Sequence, residues 1–87
     1  MIIMFIVEYS SQALKFFKKI DKVLAERILK QIEELRTNPF PQGTKMVEGY
    51  REKTYRVRVG DYRILYEVDQ SKSFIGIVKI DHRGRVY

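Results

Sequence analysis

The first half of the chain changes from a strand pattern to two helical patterns. Ile2–Tyr9 is rich in β-branched and aromatic side chains, which predicts a strand. Ser10 or Ser11 can cap a helix over Gln12–Ile20, and a second helix over Asp21–Arg36 begins with an aspartate suited to cap it. Apolar residues recur at the spacing of helices that bury one face. These residues are Ala13, Leu14, Phe16, Phe17 and Ile20 in the first helix, and Leu24, Ala25, Ile28, Ile32 and Leu35 in the second.

The second half has the alternation typical of strands. Both prolines fall in Thr37–Gly43, which ends the second helix. The strands that follow are predicted over Thr44–Gly49, Glu52–Val59, Tyr62–Asp69 and Phe74–Asp81. The order β-α-α-β-β-β-β predicts an α+β fold, with two antiparallel helices on one face of a four-stranded, mostly antiparallel sheet and the first strand at or near its edge. Residues 1–87 are expected to form a single domain with one open sheet face.

A tight hairpin is predicted at Gly60 and Asp61. They separate two alternating runs, and a leading glycine is typical of a type II′ turn. The register that follows places Arg58 opposite Arg63, on the same face as Arg56. We call these three residues the arginine face. The other face of the hairpin is the predicted core face and carries Tyr55, Val57, Val59, Tyr62, Ile64, Tyr66 and Val68.

The arginine face is a candidate anion site. Like charges directly opposite each other on paired strands cost up to about 1 kcal/mol. Glu67, near the far end, is the only acid on this face of the hairpin, so the missing counter-charge is expected to be a ligand. The alternative is a solvated charged face with the guanidinium groups spread into water, and register alone leaves the two readings equally open. A formal net charge of +6 favours polyanionic partners.

The last six residues add further candidates. His82–Tyr87 contains the only histidine, two arginines and a tyrosine, and it follows a strand predicted to lie beside Tyr62–Asp69. That position is expected to bring the segment close to the arginine face. The alternative is a frayed basic terminus.

Composition excludes several other classes of protein. The chain has no cysteine, so disulfides and thiolate chemistry are excluded, and a reducing cytoplasm is the expected compartment. One histidine and no cysteine provide no metal-ligand cluster, so neither a metal nor a cofactor is expected, although carboxylates alone could hold Mg²⁺. The apolar start lacks a basic region and a cleavage site and is too short to span a bilayer, so no membrane partner is expected.

Two segments resemble a known family. Tyr55–Val68, YRVRVGDYRILYEV, and His82–Tyr87, HRGRVY, look like the signature blocks of the RelE/ParE superfamily of bacterial and archaeal toxins. The RelE branch in its short archaeal form is the nearer match, and the predicted element order is also that of the family. The resemblance implies the toxin of a type II toxin–antitoxin pair, an endoribonuclease that enters the ribosomal A site and cleaves mRNA without metal. The implied partners are a RelB-like antitoxin, the ribosome with its mRNA, and operator DNA bound through the antitoxin.

The resemblance also implies roles for individual residues. Arg63, Arg83 and Tyr87 match the phosphate-binding arginines and terminal tyrosine of the family. Arg56 and Arg58 stand where some relatives have lysines. Because arginine does not lose its proton in proteins, these two residues are expected to stabilise the phosphate in the transition state and not to act as bases.

The general base is left open among His82, Tyr87 and Glu67. Histidine titrates near neutrality and is the natural choice, whereas Tyr87 could instead stack on a nucleobase. The predicted catalytic set is Arg56, Arg58, Arg63, His82, Arg83 and Tyr87, and Arg51, Lys53 and Arg85 are predicted to bind RNA. Two other functions stay open: a ParE-type toxin that inhibits DNA gyrase without cutting RNA, and an RNA- or ribosome-associated module whose arginines only bind phosphate.

Overall fold

The computed structural model describes residues 3–82 and has the predicted order of elements. These are β1 (Ile6–Tyr9), α1 (Ser11–Lys19), α2 (Lys22–Thr37), β2 (Lys45–Val47), β3 (Thr54–Val59), β4 (Tyr62–Asp69) and β5 (Phe74–His82). Ser10 and Asp21 cap the helices, each accepting a hydrogen bond from the backbone N–H three residues on. These caps satisfy an N–H group in the first turn of each helix, and the cap at Asp21 fixes where the second helix begins. Neither helix is long and apolar enough, in the part of the chain described, to cross a membrane.

The strands form one mixed sheet in the order β1-β5-β4-β3-β2. The prediction that β1 lies at the edge is confirmed, but the prediction of a four-stranded sheet is wrong, because the sheet has five strands. β1 pairs parallel to β5, and the other neighbours pair antiparallel. Parallel pairing needs a long crossover between the strands, and most of the chain lies between β1 and β5.

β1 begins at Ile6, later than predicted. The Phe5 N–H donates to the Arg36 carbonyl at 2.8 Å, and the Arg36 Nε donates to the Phe5 carbonyl at 3.1 Å. The backbone of Phe5 is therefore bonded to the end of α2 and not to a neighbouring strand. Ile2, where the strand was expected to begin, lies outside the described residues.

The core lies between the helices and one face of the sheet. α1 packs against β5 and α2 against β3. The phenol of Tyr66, fully buried, donates to the Pro39 carbonyl at 2.7 Å, and burial raises its pKa above the ordinary value. Leu14 was expected in the buried stripe of α1 but is 50% exposed. Its neighbour Ala13, also in the predicted stripe, is completely buried as expected. The core residues are Ala13, Ile28, Ile32, Leu35, Val57, Val59, Ile64, Tyr66, Ile75, Ile77 and Ile80.

A β-bulge changes the direction of the side chains in β5. Leu65 of β4 lies opposite Lys79 of β5, but the next residue, Tyr66, lies opposite Ile77. Val78 is therefore an extra residue in β5 with no partner position in β4. Ile77 before the bulge and Ile80 after it both belong to the core. Lys79 and Asp81 consequently lie on the opposite, open face of the sheet.

Gln12 closes the edge of β5 beyond the end of β1. Its side-chain nitrogen donates to the Ile80 carbonyl at 3.1 Å, and its side-chain oxygen accepts from the Ile80 N–H at 3.0 Å. Ser10 bonds to the preceding residues of the same edge. Its N–H donates to the Ile77 carbonyl at 2.9 Å, and its hydroxyl donates to the Val78 carbonyl at 2.6 Å. Two side chains and the start of a helix thus replace a neighbouring strand at this edge.

Replacing Gln12 with alanine is expected to lower the free energy of unfolding by about 1–3 kcal/mol, because both backbone groups of Ile80 lose their partners. Urea denaturation measures the change. Gln70→Ala, at an exposed position after β4, serves as the matched control and is expected to change stability by less than about 0.5 kcal/mol. Equal effects of the two substitutions would contradict a structural role of the Gln12 amide.

Candidate active site

The hairpin between β3 and β4 has the predicted turn and register. Gly60, the first residue of the turn, has a φ of +59°. The second residue, Asp61, has a negative φ, because Ser73 is the one non-glycine residue with positive φ in the described chain. A turn with positive φ at its first position only is of type II′. Arg58 lies opposite Arg63. A Cβ atom on Gly60 would lie 3.1 Å from Nη2 of Arg27, so the guanidinium of this α2 residue packs closely against the turn. Glycine is therefore favoured at this position both by backbone conformation and by space.

Two cross-strand rows of side chains form the basic end of the open face. The first row, at the hairpin end, crosses β3, β4 and β5; the second crosses β2 to β5. Residues directly opposite each other on paired strands share a face. The first row is Arg58, Arg63 and Asp81, and the second row is Lys45, Arg56, Leu65 and Lys79. The pairing of β2 with β3 and of β5 with β4 thus brings two lysines and an aspartate beside the arginine face.

Asp81 forms an ion pair with Arg63. The Arg63 Nε donates to Oδ1 at 2.8 Å and its Nη2 to Oδ2 at 3.4 Å, with the two side chains 38% and 25% exposed. The Lys79 Nζ lies 3.7 Å from the same Oδ2. The expectation that the arginine face has no counter-charge nearby is therefore wrong for Arg63, because β5 supplies one. The two rows still hold five cationic side chains and one carboxylate.

Leu65 is the apolar centre of the second row. It is 1% exposed although it faces away from the main core. Its cross-strand partners are Arg56 and Lys79, whose long aliphatic stems can cover it while their charged ends reach water. The second row therefore has a buried apolar residue between its cationic side chains.

His82 lies on the other face of the sheet. It is opposite Tyr62, and the two rings meet edge to face with centroids 4.9 Å apart. Tyr62 packs in turn against Phe16 of α1 at 5.7 Å. The structure therefore does not bring His82 together with the arginine face, and its predicted role as the general base stays a prediction. The bulge at Val78 is the physical reason, because it sets which residues of β5 face the helices.

The far end of the open face is acidic. Glu67, the third candidate base, lies four positions along β4 from Arg63, roughly 13 Å for an extended strand. Glu67 lies opposite Gly76 of β5, and Gly76 lies opposite Glu8 of β1, so the two glutamates belong to one cross-strand row. A hydrogen bond of 2.7 Å from the Ser71 hydroxyl lowers the pKa of Asp69, at the end of β4. Phosphate groups are therefore favoured at the hairpin end of the face and disfavoured here.

The two predicted RNA-binding residues of the β2–β3 connection lie at this acidic end. Arg51 and Lys53 are exposed and precede β3, so the length of that strand separates them from Arg58. Lys53 borders a cleft of about 570 Å³ together with Glu52 and Glu67. The structure thus does not bring either residue into the two rows, and their role in RNA binding stays a prediction.

Three predicted residues of the tail, Arg83, Arg85 and Tyr87, lie outside the described residues, and their roles also stay predictions. Sequence reasoning missed Lys45, Lys79, Asp81 and Leu65. The signal for two of them was present in β5: its isoleucines at 75, 77 and 80 break the spacing of two, which indicates a bulge and reverses the faces of the residues that follow.

Comparison with known proteins agrees with the fold and the predicted family. A family model described as "ParE toxin of type II toxin-antitoxin system, parDE" matches residues 7–87. A protein of Methanocaldococcus jannaschii named "Putative toxin RelE1" is 34% identical over 86 residues, covering 95% of this chain and 94% of that protein.

Solved structures share the architecture. RelE in the archaeal RelE–RelB complex from Pyrococcus horikoshii OT3 is 30% identical with a TM-score of 0.81, covering 95% of this chain and 99% of that one. The isolated E. coli RelE toxin has a TM-score of 0.76 at 21% identity, covering 95% and 87% of the two chains, which shows a common fold. With the family model spanning nearly all of its length and an archaeal relative 34% identical, this chain belongs to the RelE/ParE superfamily of type II toxin–antitoxin toxins and is similar to RelE.

Proposed function

We propose that this toxin is an endoribonuclease that cleaves mRNA in the A site of the ribosome. The observation that supports this most is the pair of cross-strand rows, which gathers five cationic side chains from four strands on one open face. Arg63 is held there by two hydrogen bonds to Asp81. Fixed guanidinium groups suit a phosphate whose charge grows during the reaction.

The proposed reaction is attack by a 2′-hydroxyl on the neighbouring phosphorus. The bond to the 5′ oxygen breaks, giving a 2′,3′-cyclic phosphate and a free 5′-hydroxyl. Negative charge increases on the equatorial phosphate oxygens, and the guanidinium groups of Arg56, Arg58 and Arg63 stabilise it. This step uses the cationic side chains and no metal ion.

The proposed partners are a RelB-like antitoxin, the ribosome with its mRNA, and operator DNA. The P. horikoshii and M. jannaschii relatives of known structure are complexes of RelE with RelB, and we expect a RelB-like antitoxin for this toxin as well. Its binding would neutralise the cationic rows, and the complex would bind operator DNA through the antitoxin. The ribosome and its mRNA place the activity in the cytoplasm.

Primer extension on translating ribosomes tests the proposal. Adding the purified toxin is expected to produce new mRNA ends within A-site codons, and naked mRNA of the same sequence should stay largely intact. Absence of new ends on ribosome-bound mRNA would contradict the proposal. Salt-sensitive RNA binding without cleavage would indicate instead that the arginines only bind phosphate.

Inhibition of DNA gyrase is the second candidate, because the family model that matches residues 7–87 is described as a ParE toxin. A gyrase supercoiling assay separates the two activities. We expect supercoiling to continue in the presence of the toxin. Inhibited supercoiling together with intact mRNA would replace the first proposal with the second.

A further inference from the structure

The arginine face needs a proton donor that its arginines cannot supply. Breaking a phosphate ester requires an acid for the leaving oxygen, and general acid catalysis typically contributes about 10²–10⁴-fold. Guanidinium groups keep their protons in proteins. His82 lies across the sheet, and Glu67 lies toward the acidic end. Within residues 3–82, the proton-exchanging groups of the two rows are Lys45, Lys79 and Asp81.

Position distinguishes these three groups. The Asp81 carboxylate already accepts two hydrogen bonds from Arg63. Lys45 lies on the three-residue edge strand β2, two strands from Arg63, or roughly 10 Å. Lys79 lies on the strand next to Arg63, with its Nζ 3.7 Å from the carboxylate that holds that guanidinium. Its side chain is 44% exposed and therefore accessible to a substrate on the open face.

We propose that Lys79 is the general acid of the cleavage reaction, an inference that rests on the proposed function. When the bond between phosphorus and the 5′ oxygen breaks, its electron pair stays on that oxygen, which takes a proton from the Lys79 ammonium. The lysine is left neutral and regains a proton from solvent. The proton of the attacking 2′-hydroxyl leaves to a separate base. An ammonium is a far stronger acid than the alcohol formed, so the transfer is favourable.

The surroundings of Lys79 suit this role. Its neighbour in the second row is Leu65, which is 1% exposed, and the aliphatic stem of a lysine is suited to cover such a residue while the ammonium reaches water. The contact with Asp81 draws the ammonium toward Arg63, so the proton donor and the proposed phosphate-binding guanidinium share one carboxylate. The bulge at Val78 is what brings this lysine to the open face.

A change of leaving group tests the assignment. Ribosomes are programmed with one of two short synthetic mRNAs, which have either the normal 5′ oxygen or a 5′ sulfur at the scissile bond. Single-turnover cleavage is measured for both mRNAs. A thiolate leaves without protonation, so it does not need the acid. Lys79→Arg keeps the charge but is a poor acid. It should slow cleavage of the oxygen substrate by about 10²-fold or more and of the sulfur substrate by less than about threefold.

Lys30→Arg, at an exposed position on α2 outside the two rows, is the matched control and should change the cleavage of both substrates by the same small factor, less than about threefold. Equal losses of Lys79→Arg on both substrates, or no loss on the oxygen substrate, would overturn the assignment of the general acid while leaving the proposed function intact. Failure of the wild-type toxin to cleave either substrate would overturn the proposed function itself. Urea denaturation of each variant verifies that the fold is retained.

Discussion

Arg63→Ala is expected to reduce the rate of mRNA cleavage on the ribosome by about 10³-fold. Arg63 lies at the centre of the first row, on the central strand, and its guanidinium is fixed by bonds of 2.8 and 3.4 Å to Asp81. A preorganised cation stabilises the charge that develops on the phosphate without having to reorganise during the reaction. Arg63→Lys should recover only part of the rate, because an ammonium cannot make the same paired contacts. Single-turnover cleavage measures both variants.

Lys30→Ala is the control for loss of one positive charge, since Lys30 is exposed on α2, away from the sheet's open face. Its cleavage rate should stay within about threefold of wild type. The ion pair of Arg63 is partly exposed, so its removal should lower the free energy of unfolding by no more than about 1 kcal/mol. A wild-type cleavage rate for Arg63→Ala would contradict the proposed site.

Leu65→Ala is expected to lower the free energy of unfolding by about 2–4 kcal/mol. The side chain is 1% exposed on the open face, and truncation leaves a cavity under the second row. For a chain of 87 residues, this is a large part of the total stability. Chemical denaturation followed by circular dichroism measures the loss.

The same substitution at Leu14 provides the matched control. Leu14 is 50% exposed on α1, so Leu14→Ala should change stability by less than about 0.5 kcal/mol. Similar effects of the two substitutions would show that the open face does not bury Leu65 in solution. A large loss at Leu65 alone would establish that this side chain is buried within the second row in solution.

The parts of the site that were predictable depend on local rules. A two-residue loop with glycine first fixes the register of its hairpin, so Gly60 and Asp61 were sufficient to place Arg58 opposite Arg63. The helix caps at Ser10 and Asp21 likewise depend on residues three positions away. Within such short distances along the chain, few alternative arrangements exist.

The parts that were missed depend on long-range pairing. The fifth strand of the sheet requires β1 to pair with β5 from the opposite end of the chain, which no local pattern specifies. The single extra residue Val78 decides that Lys79 and Asp81 face the arginines while His82 faces Tyr62. A strict alternation through β5 gives the reverse, because shifting a strand by one residue exchanges its faces.

The most direct measurement of the central claim is the chemical nature of the ends made when the toxin acts on ribosome-bound mRNA. Attack by the 2′-hydroxyl predicts that every new upstream fragment ends in a 2′,3′-cyclic phosphate. Every downstream fragment should begin with a 5′-hydroxyl that a polynucleotide kinase labels without prior phosphatase treatment. Fragments with 5′-phosphate ends, or mRNA left intact by the toxin, would contradict the account.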